Sequence, residues 1–175
     1  LNSGIILINY VYNKDYSRKD LRDMFGMVLQ DTWLYSGTIM DNIRYGNMKA
    51  TDEEVIAAAK AAHIHHYIKT QPKGYNMEIN EEATNISQGQ KQLLTIARAI
   101  LADNPIMILD EATSSVDTRT EILIQKAMAN LMVNRTSFII AHRLSTLKNA
   151  DDILCSSNCL YHHIGLFIQS HHVIK

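Results

Sequence analysis

Two adjacent carboxylates, Asp110 and Glu111, close the apolar run Ile106 to Leu109, a placement suited to metal-assisted chemistry. A short apolar run of that kind reads as a buried strand. If its sheet is parallel, the carboxyl edge is where ligands of such folds bind. Neighbouring residues at a strand end point in different directions, so one carboxylate can hold Mg²⁺ while the other orients an attacking water. That division of tasks is what hydrolysis of a phosphoanhydride requires. The alternative is a solvated acidic turn behind a core strand. A second candidate is Ser87-Gln88-Gly89-Gln90, which opens the amphipathic stretch KQLLTIARAIL. Unpaired N–H groups and the positive end of the helix dipole favour a phosphate there, and Gly89 lets the backbone come close to it. The alternative is an ordinary serine N-cap. His142 follows the apolar strand SFIIA, where a lone histidine is more often structural. Gln30 lies in MVLQDTWLYSGTIMDNI; a glutamine alone carries almost no signal there and reads as a surface-loop residue.

The elements that position these residues can be read from periodicity and punctuation. Ile5 to Ile8 reads as a short strand, Tyr16 to Arg22 as a polar connection, and Met27 to Gln30 as another apolar run. Thr51 to Lys69 reads as one helix, with Thr51 as N-cap, Glu54 at the capping-box position, and Val55, Ile56, Ala59, Ala62 and Ile64 at helical spacing. Ser87 caps a second helix with Leu93, Ile96, Ala97, Ile100 and Leu101 on one face, and Asn104-Pro105 ends it. A helix from about Thr118 to Leu131 leads into the strand Ser137 to Ala141. Two continuous apolar strands joined through a helix imply an α/β fold with a parallel sheet covered on both faces. Ser115 and Asp117, in SSVD, are placed to cap the helix that starts near Thr118.

At 175 residues and 46% hydrophobic content, one domain with a real core is expected. A formal net charge of −1 gives no general pull toward nucleic acid or anionic lipid. Cys155 and Cys159 do not make a disulfide framework, which fits a reducing compartment. The first residues lack the pattern of a signal peptide, and no apolar run is long enough to span a bilayer. If the protein acts at a membrane, another chain or segment supplies the span.

Taken in order, Gln30 with SGTI-x-x-NI, Ser87 to Gln90, the strand ending in Asp110-Glu111, the SSVD turn and His142 in AHRLST resemble an ATP-binding cassette (ABC) transporter nucleotide-binding domain of the exporter type. The resemblance runs from about Leu1 to Asp152. It implies a RecA-like P-loop ATPase core with an α-helical signature subdomain of about residues 31–102, and a divergent tail over 153–175. It implies ATP and Mg²⁺ as cofactors. Asp110 and Gln30 would lie on the Mg²⁺ side, Glu111 would be the catalytic base, and His142 would meet the γ-phosphate. Ser87, Gln88, Gly89 and Gln90 would form the signature turn, which contacts ATP held mainly by the opposite subunit. Ile86 stands where the family usually has leucine. Ser115 and Asp117 would face a dimer interface. The implied partners are a second nucleotide-binding domain, in a homo- or heterodimer, and the coupling helices of a transmembrane domain, at the cytoplasmic face of the cell membrane. Trp33, Leu34 and Tyr35 would suit the pocket that receives a coupling helix, or would be buried in this chain's own core.

The pattern also breaks. No G-x-x-x-x-G-K-[ST] phosphate loop occurs, nor the adenine-stacking aromatic that precedes it in the family. The resemblance places LNSGIILI just after the Walker A helix, so the cassette reads as N-terminally truncated, and losing that cradle should remove most Mg-ATP affinity. From Cys155 onward the text has no clear period, which fits truncation, a shifted frame or divergence. Two other readings stay open. An ABC-type DNA-repair protein shares the signature, but no heptad tract appears. A non-catalytic remnant or metal-binding module would use Cys155, Cys159, His162 and His163, with His171 and His172 nearby. His63, His65 and His66 read as packed or solvated residues.

Overall fold

The computed structural model describes residues 4–29, 32–80, 82–110, 116–141, 152–155 and 165–170. The first part holds β1 (Leu7–Ile8), β2 (Val11–Tyr12), α1 (Arg18–Asp23), β3 (Phe25–Val28), β4 (Gly37–Thr38) and α2 (Ile39–Arg44). There follow α3 (Asp52–Ala61), α4 (His65–Thr70), β5 (Glu78–Ile79) and α5 (Gln88–Ala102). The last part is β6 (Ile106–Asp110), α6 (Thr118–Met132), β7 (Thr136–Ala141), β8 (Asp152–Cys155) and β9 (Gly165–Ser170).

β3, β6 and β7 are parallel neighbours, with Val28 opposite Leu109 and Asp110 opposite Ile140. Parallel pairing needs a crossover, and α5 and α6 return the chain to the same sheet edge each time. The sheet continues as β7-β9-β8, with β9 antiparallel to both neighbours. The parallel α/β core is therefore present, extended by two strands, the antiparallel β9 and then β8. β9, GLFIQS, lies in the part of the sequence that shows no period. Its apolar run is only three residues, Leu166 to Ile168, too short for periodicity to identify a strand. Along β6 the burial alternates: Met107 and Leu109 are fully buried, whereas Ile106, Ile108 and Asp110 are half-buried. Neither face of β6 is exposed, in keeping with a sheet covered on both sides, and the Met107–Leu109 face is the more deeply buried.

Helix starts follow capping chemistry closely. Ser17, Thr38, Thr51, Ser87 and Asp117 each accept a hydrogen bond from the backbone N–H three residues on. Ser17 also donates to Asp20 Oδ2 at 2.7 Å, which turns the expected polar connection into α1. At the amino end, Asn9 and Tyr10 both take positive φ, so the expected strand folds into the two-residue hairpin β1–β2. The expected long helix splits. His63 adopts φ 57°, Ile64 N–H reaches Ala59 O at 3.0 Å, and His63 N–H reaches Lys60 O at 3.0 Å. That is a Schellman stop with histidine in the left-handed position, and α4 starts afresh at His65. α2 and α3 pack on α5, whose Leu93, Leu94, Ile96 and Ala97 are buried; Ile100 and Leu101 are only half-buried.

Candidate functional site

The Ser87 turn is built as a capping box. Ser87 Oγ accepts from Gln90 N–H at 3.4 Å, and Ser87 N–H donates to Gln90 Oε1 at 3.0 Å. The reciprocal pair occupies two donors and leaves the N–H groups of Gln88 and Gly89 without intrahelical partners. The Ser87 hydroxyl keeps its own hydrogen for donation. Two amides, one hydroxyl and the positive end of a 15-residue helix make a donor set suited to an anion such as a phosphate.

Gly89 has a packing duty that sequence reasoning missed. A Cβ at this position would fall well inside contact of Thr120 Cγ2 and 3.0 Å from Val116 Cγ1. The start of α5 therefore rests against the start of α6, and two positive helix ends stand side by side. Asp117 caps α6 by accepting from Thr120 N–H at 3.0 Å. The backbone N–H and then the side chain of Thr120 hold the Asp117 carboxyl below its usual range. The Ser87 turn and Asp117 are thus neighbours through Gly89, Val116 and Thr120, although about 30 residues separate them in sequence.

Asp110 is half-buried at the carboxyl end of β6, opposite Ile140 of β7. That is the predicted sheet edge, and a strand-end carboxylate fits a Mg²⁺-side role. Gln30, Glu111, Ser115 and His142 lie outside the described residues. Of the possible zinc ligands, Cys155 belongs to β8, while Cys159, His162, His163, His171 and His172 also lie outside the described residues. Among the described residues, no group of three or more His, Cys, Asp or Glu is placed to hold a metal ion. His65 instead pairs with Tyr75, its Nδ1 2.8 Å from the hydroxyl. Burial, and then Lys60 and Lys69, lower the His65 pKa, and burial pushes Tyr75 up to about 12.

The loop after β3 divides its three apolar residues. Leu34 is buried, whereas Trp33 is 59% exposed and forms an aromatic cluster with Tyr35 and Tyr45. Arg98 of α5 sits over the Trp33 and Tyr45 rings at 5.8 and 5.2 Å. Its guanidinium donates to Trp33 O, Asn42 O and Asn42 Oδ1 at 2.9–3.1 Å. Asn42 is fully buried and itself pins the loop, donating to Tyr35 O and Thr38 O and accepting from Tyr35 N–H. Sequence reasoning did not single out Arg98 or Asn42. The signal was there: an arginine one step from the apolar stripe of α5 must find acceptors. Beside this cluster runs a groove of about 460 Å³, lined by Met27, Tyr45, Gly46, Thr95, Arg98 and Asn104 among others. Among the described residues, no helix is long and apolar enough to cross a membrane.

Comparison with known proteins shows the family. The family model "ABC transporter" matches residues 1–114. The "Fatty acid ABC transporter ATP-binding/permease protein" of Mycobacterium bovis is 57% identical over 154 residues, covering 88% of this chain and 24% of that protein. The "ATP-dependent lipid A-core flippase" of Desulfotalea psychrophila is 49% identical, covering 88% of this chain and 27% of its own length. A solved bacterial Atm1-family ABC exporter with ATP bound superposes with TM-score 0.74 at 42% identity, covering 86% of this chain and 26% of that one. The chain thus spans about a quarter of the length of these relatives. With the family model matching well over half of its residues, the chain belongs to the ABC transporter family.

Proposed function

We propose that this chain supplies the signature side of an ATP sandwich in an ABC exporter. The observation that carries this reading is the Ser87 turn, with two amides and a hydroxyl free to donate at a helix start that abuts α6. A γ-phosphate held by the phosphate loop of a second nucleotide-binding domain would complete that donor set. Ser87, Gln88, Gly89 and Gln90 form the turn, and Asp117, fixed beside it, faces the same dimer interface. Asp110 and Gln30 would hold Mg²⁺, Glu111 would act as catalytic base, and His142 would meet the γ-phosphate. Bound Mg²⁺ would neutralise charge on the β- and γ-oxygens during hydrolysis.

The exposed Trp33–Tyr35–Tyr45 face and its groove are the docking surface for a coupling helix of a transmembrane domain, at the cytoplasmic side of the membrane. Its support is an exposed aromatic face, Trp33 and Tyr45, beside a groove that shares Tyr45 and Arg98 with it, in a chain whose relatives are named as combined ATP-binding and permease proteins. The family also supports ATP as the nucleotide. The names of the relatives point to apolar or lipidic cargo, and selectivity would lie in membrane segments.

The test is sedimentation of the chain with a complete cassette whose catalytic carboxylate is replaced by an amide. Association that needs Mg-ATP and is lost on Ser87→Arg supports the proposal. Association that is indifferent to nucleotide or to Ser87→Arg, or none at all, overturns it.

A further inference from the structure

We infer that Arg98 is a positioning residue that fastens the Trp33–Tyr45 face to the signature helix α5, so that a displacement of that face is delivered to the Ser87 turn. The inference rests on the docking surface proposed above only for the source of the displacement. The fastening has three parts. Arg98 reaches two backbone carbonyls and the Asn42 side chain at once, and lies against both rings. Asn42 carries the hold onward to Tyr35 and Thr38, so the loop has little freedom to slide over α5. At Gly46, a Cβ would collide with Arg98 O and stand 3.2 Å from Ala102 N, so the end of α2 lies directly on the α5 backbone.

A second tether lies near the other end of the helix, where Gln88 Nε2 meets Thr32 Oγ1 at 3.4 Å. Residues 32–46 are thus held to α5 both at its first residue and near its last turn. A continuous helix transmits displacement along its axis, and Ser87 precedes Arg98 by about 16 Å of helix. Arg98 suits the task because a planar fork with several donors bridges acceptors that a lysine ammonium cannot reach together.

The experiment uses the full chain, amide exchange and the fluorescence of Trp33, the sole tryptophan. Arg98→Gln is expected to raise acrylamide quenching of Trp33 about twofold. It should also speed exchange about tenfold over residues 33–38 and at Gln90 and Lys91, the bonded amides of the first turn of α5, while α6 and β7 keep their rates. Arg98→Lys should give the same pattern at smaller amplitude, and it carries the comparison if Arg98→Gln does not fold. Tyr45→Ala, which removes one of the two rings that Arg98 packs against and leaves its hydrogen bonds in place, should speed exchange in the first turn of α5 with Arg98 present but not in the Arg98→Lys background. Unchanged first-turn exchange in every variant would overturn the inference. So would a uniform acceleration across the chain that tracks a lower Tm, which is the mark of a purely structural role. No partner is present in this assay, so failure of the docking surface would leave its outcome untouched.

Discussion

Replacing Gly89 by alanine sets two effects of opposite sign against each other. Within a helix, alanine is favoured over glycine by about 1 kcal/mol. Against that, the new Cβ would meet Thr120 Cγ2 well inside contact distance and Val116 Cγ1 at 3.0 Å. Thr120 is not free to rotate away, because its N–H and side chain both bond to Asp117. Forcing a methyl into such a contact costs about 1–3 kcal/mol. The expected net effect is a loss of about 0–2 kcal/mol, read as a lower urea midpoint at unchanged m-value in far-UV circular dichroism. Thr120→Ser removes the obstructing methyl and keeps the hydroxyl; alone it should cost less than about 1 kcal/mol. Combined with Gly89→Ala it should restore most of the lost stability, a coupling of about 1 kcal/mol or more. Additive effects, or a Gly89→Ala variant more stable than the parent, would refute the reasoning that the start of α5 is seated on α6 through this glycine.

Other substitutions have equally definite expectations. His63→Gly should relieve a left-handed residue at the end of α3, raising stability by about 0.5–1 kcal/mol and Tm by a few degrees in a thermal melt; Asn130 keeps its bond to Ala61 O. Asp117, whose carboxyl is held below its ordinary value, stabilises the fold above the unfolded pKa, and that stability is lost as pH falls through the folded value. Asp117→Asn still caps but does not titrate, so the Tm advantage of the parent chain should shrink as pH drops below about 4. A constant difference across that range would contradict the assignment.

Much of the fold was legible because the sequence states it locally. Thr51 with Glu54, and Ser87 with Gln90, announced capping boxes that the structure contains in full. The apolar runs 106–109 and 137–141 announced parallel strands. The break at His63 was hidden because a left-handed stop usually carries glycine, and histidine gives no such warning. β9 was hidden because its apolar run, Leu166 to Ile168, is too short for periodicity to mark a strand. At the site, the Ser87 turn and Asp117 were found individually, but their contact was not, since Gly89 advertises backbone freedom rather than the methyl of Thr120 that it accommodates. Arg98 and Asn42 escaped because their importance lies in acceptors brought together from 56 residues apart.

The central proposal is that these 175 residues carry the signature donors and strand-end carboxylates of an ABC cassette, with no G-x-x-x-x-G-K-[ST] phosphate loop among them. Calorimetric titration with Mg-ATP tests it most directly, using the parent chain with Glu111→Gln alongside to suppress turnover. The account predicts no saturable binding at micromolar nucleotide, because one helix start and a strand-end carboxylate cannot replace a loop that wraps the phosphates. A micromolar Kd for the chain alone would contradict it, and would place a phosphate cradle elsewhere in these residues.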